Sequence, residues 1–122
     1  MGLGTGLNTY LAYVFSKENN VNINYHSIEK FPLTEAEIHL LEMKSTLPHA
    51  EHADFYQLLH SCLWEKAIGQ DGFLFSKSKI DFLELDISQK FDVIFYNMNY
   101  YMCKAGIEEQ RVANKVCANL KK

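Results

Sequence analysis

The chain has little that would cross-link it, embed it in a membrane or draw it to a polyanion. Its three cysteines, Cys62, Cys103 and Cys117, are odd in number and irregularly spaced. That excludes a disulfide framework and points to free thiols in a reducing, cytoplasmic setting. No apolar run approaches the roughly 18 residues that span a bilayer, and the opening residues lack the basic, apolar and small-residue zones of a secretory signal. A soluble protein without a membrane partner is expected. Prolines are confined to Pro32 and Pro48, and there is no repeat, low-complexity tract or linker. Positive charge is also scarce: 12 basic residues face 15 acidic ones, for a net charge of −3. Up to about residue 61 the bases are only Lys17, Lys30 and Lys44, and beyond it the signs nearly balance. That distribution offers no broad nucleic-acid footprint, although the second half permits a polyanion contact.

What is present suits one globular domain over residues 1–122. The chain is 48% hydrophobic and 22% charged, enough to bury a single core. "LNTYLAYVFS" places Leu7, Leu11, Val14 and Phe15 at helical spacing, predicting a helix to about Lys17, broken by Asn19 and Asn20. "VNINYHSI" alternates and reads as a strand. Thr34 followed by Glu37 is a capping box opening the next helix, which Pro48 bounds. Residues 52–68 predict another helix, closed by Gly69; a strand follows from Phe73 through Ile80. "FDVIFYN" looks like a buried parallel strand, and residues 107–120 like a last helix. Strands joined through helices imply an α/β fold: a parallel sheet flanked by helices.

The chemistry concentrates at "MGLGTGLN". Glycines accept positive φ and let a ligand approach the backbone closely, and in doubly wound sheets ligands sit near the first strand-to-helix turn. A dinucleotide turn wants G-x-G-x-x-G, whose third glycine falls where Leu7 stands. Gly2, Gly4 and Gly6 are spaced G-x-G-x-G instead, a tighter turn suited to a cofactor without a pyrophosphate. About 20 residues beyond such a turn, an acid at the end of the second strand commonly bonds the ribose, and Glu29 stands there. Asp81, or Asp86 if the strand runs longer, is a candidate for the adenine end.

"GLGTGLN" followed by "HSIEKFPLT" resembles the methyltransferase domain of the MnmC-like proteins of tRNA 5-methylaminomethyl-2-thiouridine biosynthesis. The likeness continues more loosely through "LLHSCLWEK", "KSKIDFLELD" and "FDVIFYN". The resemblance implies a Rossmann-like class I methyltransferase fold. It also implies S-adenosylmethionine as cofactor, tRNA as partner, and methyl transfer to an aminomethyl group on the wobble uridine. By position it implies that Gly2, Gly4, Thr5, Gly6 and Asn8 form the cofactor turn, that Glu29 holds the ribose and Asp81 the adenine end, and that Lys30 belongs to the cofactor-binding set. The family's fourth strand ends in an aspartate beside the methyl-accepting amine. Here "FDVIFYNMNYY" has Asn97 at that position, which can accept a hydrogen bond but cannot balance an ammonium charge. The family also has a strand before the glycines and further strands after residue 120. The chain is accordingly expected to be a partial domain, cut at both ends, that binds cofactor weakly and turns over little.

Two other readings stay open: a small NAD(P)-binding oxidoreductase module, which the glycine spacing disfavours, and a non-catalytic interaction fragment of the same fold. An unpaired sheet edge would promote self-association. His49, His52, His60 and Cys62 match no closed metal spacing, so no metal is expected. The tyrosines after Asn99, with Met98 and Met102, suit either base stacking or a core rim.

Overall fold

In the computed structural model the described residues are 3–44, 47–86, 88, 90–95 and 118. The expected last helix over 107–120, apart from Ala118, the aromatic and methionine cluster, Gly2 and Asn97 lie outside them. Helix α1 spans Leu7–Asn19. It stops because Asn20 adopts the left-handed conformation (φ 52°, ψ 45°), and the Val21 N–H then donates back to the Ser16 carbonyl at 3.1 Å. Strand β1 spans Ile23–Ile28 and helix α2 spans Glu35–Lys44. The capping box forms as the sequence predicts. The Glu37 carboxylate accepts the Thr34 N–H at 2.7 Å and hydroxyl at 3.0 Å, while the Glu37 N–H donates to Thr34 Oγ1 at 3.3 Å. Those bonds, the backbone one foremost, hold the Glu37 carboxyl below the usual range.

After a 3₁₀ turn, Ala50–His52, helix α3 covers Ala53–Ser61. The helix expected over 52–68 therefore ends early. Cys62 is extended (φ −65°, ψ 155°), and Gly69 lies in strand β2, Ile68–Gln70. Strand β3, Phe73–Ser78, ends two residues short of Ile80. Between β2 and β3 the pair Asp71–Gly72 has positive φ at both positions, 46° and 86°. That is the signature of a two-residue primed hairpin turn, where aspartate and glycine are favoured. The Lys17 ammonium fastens this turn to α1 by donating to the carbonyls of Gln70 and Asp71 at 2.9 and 2.6 Å.

The sheet has the order β1-β3-β2. β1 runs parallel to β3, in register from Ile23↔Phe73 to Ile28↔Ser78, and β2 is antiparallel to β3. The fold is a small mixed α/β unit, its parallel pair joined through α2 and α3. The sheet is mixed where a wholly parallel one is expected, because the Asp-Gly turn reverses the chain before β3. Residues 92–95 form no strand, and Val93 and Phe95 are 65% and 48% exposed. A buried parallel strand has both of its faces covered, whereas Val93 and Phe95 stand partly open, Phe95 meeting Tyr25 at 6.2 Å. Tyr96 and Asn97, the end of that expected strand, lie outside the described residues.

The core is aromatic and one-sided. Tyr10, Tyr13 and Val14 of α1 pack with Phe55, Tyr56 and Leu59 of α3 over Phe73 and Phe75 of β3. Tyr13 stacks on Phe55 with ring centroids 3.9 Å apart, and both meet Phe73 edge-on at 5.5 and 5.4 Å. Such pairs add about 0.5–1.5 kcal/mol each beyond their area. The buried face of α1 differs from the expected one: Leu7, Leu11 and Phe15 are 43%, 41% and 54% exposed. Tyrosine brings a large apolar body together with a hydroxyl that reaches the rim. Tyr10 uses its hydroxyl to hold the carbonyls of Pro48 and His49 at 2.8 and 2.7 Å.

Lys77, 1% exposed, is buried beneath α3. Its ammonium donates to the carbonyls of Leu59 and His60, both at 2.9 Å, and lies 4.6 Å from the Trp64 ring centroid. A cation on the last carbonyls of a helix satisfies groups that have no partner within the helix and opposes the negative end of the dipole. Burial lowers the lysine pKa all the same. Lys77→Met keeps the apolar stem and removes the donors. It should cost about 1–3 kcal/mol in a urea titration; an unchanged midpoint and slope would show that α3 needs no such cap.

Candidate functional site

The carboxyl ends of β1 and β3 meet the glycine turn. Gly4 and Gly6 both have positive φ, 49° and 79°, and the Gly6 N–H donates to the Leu3 carbonyl at 2.7 Å, closing the turn. α1 then begins with Gly6 as its N-cap, with no side-chain capping bond and no acid in the first turn. Its first N–H groups therefore form a positive helix end without a capping side chain.

Glu29 is the residue on which the segments converge. Its N–H donates to the Ser78 carbonyl at 2.9 Å and its carbonyl accepts from the Ile80 N–H at 3.1 Å, extending the β1–β3 ladder past both strands. Its side chain accepts the Gly4 N–H on Oε2 at 3.0 Å and the Phe31 N–H on Oε1 at 3.1 Å. One carboxylate thus ties the glycine turn to the loop after β1 across 25 residues of chain. A carboxylate has about four lone-pair sites. Two are taken by these N–H donors, and the others suffice to receive a pair of vicinal hydroxyls. A Cβ built on Gly4 meets nothing within 4 Å, so the backbone there is open to close approach. These residues offer a carboxylate with spare acceptor sites beside open backbone, a donor and acceptor set for a ligand that carries vicinal hydroxyls.

The remaining residues of the expected set divide. Thr5 lies in the turn and Asn8, exposed, in the first turn of α1. Lys30 and Asp81 are brought together rather than presented separately. Their charged atoms are 2.8 Å apart, and Asp81 also accepts the Leu83 N–H on Oδ1 at 3.0 Å. The pair joins the loops after β1 and β3. Asp86, the other adenine candidate, is exposed five residues farther on. The shallow depression lined by Gly69–Leu74 lies at the hairpin, the opposite end of β3 from this site.

Sequence reasoning missed the part of α3 in holding the turn. The Thr5 carbonyl accepts the Tyr56 hydroxyl at 2.7 Å and His60 Nε2 at 2.9 Å. Gly6 is buried so tightly on α3 that an added Cβ would sit 2.5 Å from Leu59 Cδ1. His52 packs edge-on against Tyr13, while Cys62 donates to the Leu59 carbonyl, so the histidines and cysteine singled out earlier serve separate contacts. His49 instead pairs with Glu18, its Nδ1 3.1 Å from Oε1. With Glu51 they make one exposed group whose ligand atoms lie within 4.8 Å of one another. Among the described residues no helix is long and apolar enough to cross a membrane.

Comparison with protein-family models, with curated proteins and with solved structures returns no match.

The two glycines should respond differently to substitution. Gly6→Ala combines positive φ with a steric conflict against Leu59, whereas Gly4→Ala meets strain alone, of about 1–2 kcal/mol. In paired urea titrations Gly6→Ala should lose more stability than Gly4→Ala; equal losses would show that the turn does not rest on α3 as described.

Proposed function

We propose that this chain binds S-adenosylmethionine at the glycine turn and serves N-methyl transfer, with an aminomethyl group of tRNA wobble uridine as acceptor. The observation that carries the reading is the Gly4 N–H to Glu29 carboxylate bond at the carboxyl end of the parallel pair. It brings together, from two distant segments, the backbone turn and the acid that an adenosyl cofactor requires. The spacing G-x-G-x-G supports an adenosyl sulfonium over a dinucleotide, because α1 begins at Leu7, where a dinucleotide turn would need its third glycine.

When bound, the cofactor would supply an electrophilic methyl on a sulfonium; the lone pair of a deprotonated amine would attack that carbon in line, the S–C bond would break, and S-adenosylhomocysteine would leave as the thioether. The chain's residues bind and orient. Glu29 accepts the ribose hydroxyls, Gly4 permits close backbone approach, and the start of α1 offers N–H donors to the cofactor's carboxylate. Asn97 is the residue assigned to the acceptor amine by resemblance. Orientation of this kind accounts for most of the acceleration available to such a displacement.

Isothermal titration with S-adenosylhomocysteine tests the reading, with NADH as comparison. The wild-type chain should bind S-adenosylhomocysteine and not NADH, and Glu29→Ala should weaken binding about tenfold or more, the worth of a charge-assisted hydrogen bond. Binding of NADH alone, or of neither ligand, would contradict it.

A further inference from the structure

We infer that the stretch of α3 from Tyr56 onward is a clamp that gives the glycine turn its ligand-binding shape, with Tyr56 and His60 as positioning residues acting through the Thr5 carbonyl. The inference rests on the reading of the turn as an adenosyl site. A turn carrying glycines at φ 49° and 79° has many accessible backbone conformations, so a ligand that needs one of them must bear the cost of selecting it unless the protein has done so beforehand. The Gly4 N–H to Glu29 bond on the ligand-facing side does part of the selecting, but a ligand on that side can compete for it. The part a ligand cannot disturb comes from behind. Tyr56, 4% exposed, and His60 both donate to the one carbonyl between the glycines, at 2.7 and 2.9 Å. Leu59 and His60 close on the Cα of Gly6.

The clamp is itself braced. Tyr56 lies edge-on to both Tyr10 and His60, with centroids 5.7 and 5.0 Å apart. The Lys77 ammonium holds the carbonyls of Leu59 and His60 from below. β3 therefore fixes the end of α3, and α3 fixes the turn, while the Gly4 N–H faces Glu29 on the other side. None of these α3 side chains needs to touch the ligand in order to set its affinity.

The test uses the full chain and S-adenosylhomocysteine. Tyr56→Phe and His60→Phe each remove one donor and keep a ring; each should raise the dissociation constant about three- to tenfold, the worth of a neutral hydrogen bond. His60→Gln, which keeps a donor, should restore most of the loss. Val14→Ala lowers stability without approaching Thr5, and should leave affinity unchanged while the protein is folded. Unchanged affinity in both phenylalanine variants, or an equal loss in Val14→Ala, overturns the clamp and leaves the cofactor reading standing. If the wild type binds no S-adenosylhomocysteine, the cofactor reading fails. The clamp is then judged on amide hydrogen exchange at Gly6 in the ligand-free protein: faster exchange in both phenylalanine variants sustains it, and unchanged exchange overturns it.

Discussion

The Glu29 carboxylate is the constraint through which the site exists. A glycine turn by itself is a flexible loop, and a glutamate at a strand end is by itself a surface charge. Two N–H donors from separate segments, Gly4 and Phe31, converge on that carboxylate at 3.0 and 3.1 Å. The backbone of Glu29 meanwhile continues the β1–β3 ladder to Ser78 and Ile80. The acid is thus fixed by the sheet, and the turn is fixed by the acid. Because charge-assisted hydrogen bonds are roughly twice as strong as neutral ones, a single side chain can define the geometry between the glycine turn and the loop after β1.

A second line of support reaches the turn from its other side. The aromatic core sets α1 and α3 side by side, chiefly through the stack of Tyr13 on Phe55. That placement brings Tyr56 and His60 to the Thr5 carbonyl. Packing, not local propensity, decides where the turn sits. The unequal demands on Gly4 and Gly6 follow from the same arrangement: Gly6 is pressed on α3, while Gly4 faces open space.

Much of this was legible in the residues, and the remainder has identifiable physical causes. The capping box at Thr34, the stop at Asn20 and the location of Glu29 at the end of a strand are local signals, read from neighbours in sequence. The hairpin was also written locally, as Asp71–Gly72 between β-prone runs, but the helical spacing of Phe55, Leu58, Leu59 and Cys62 masked it by drawing the expected helix past Ser61. Apolarity alone does not report the buried face of α1, because leucine and phenylalanine outrank tyrosine on any apolar scale, although Tyr10 is fully covered. The Lys30–Asp81 pair, the Lys77 cap and the hold of α3 on Thr5 join residues 17 to 55 positions apart. No spacing rule reports such contacts; only the packed fold brings them together.

The account depends most on the glycine turn and the Glu29 loop forming one ligand surface. Amide chemical-shift mapping of the ¹⁵N-labelled chain on addition of S-adenosylhomocysteine tests that directly. The account predicts shifts concentrated at Gly4, Gly6 and residues 29–31, with the hairpin amides of Asp71 and Gly72 unmoved. Shifts confined to the hairpin, or none at Gly4 and Glu29, would contradict it.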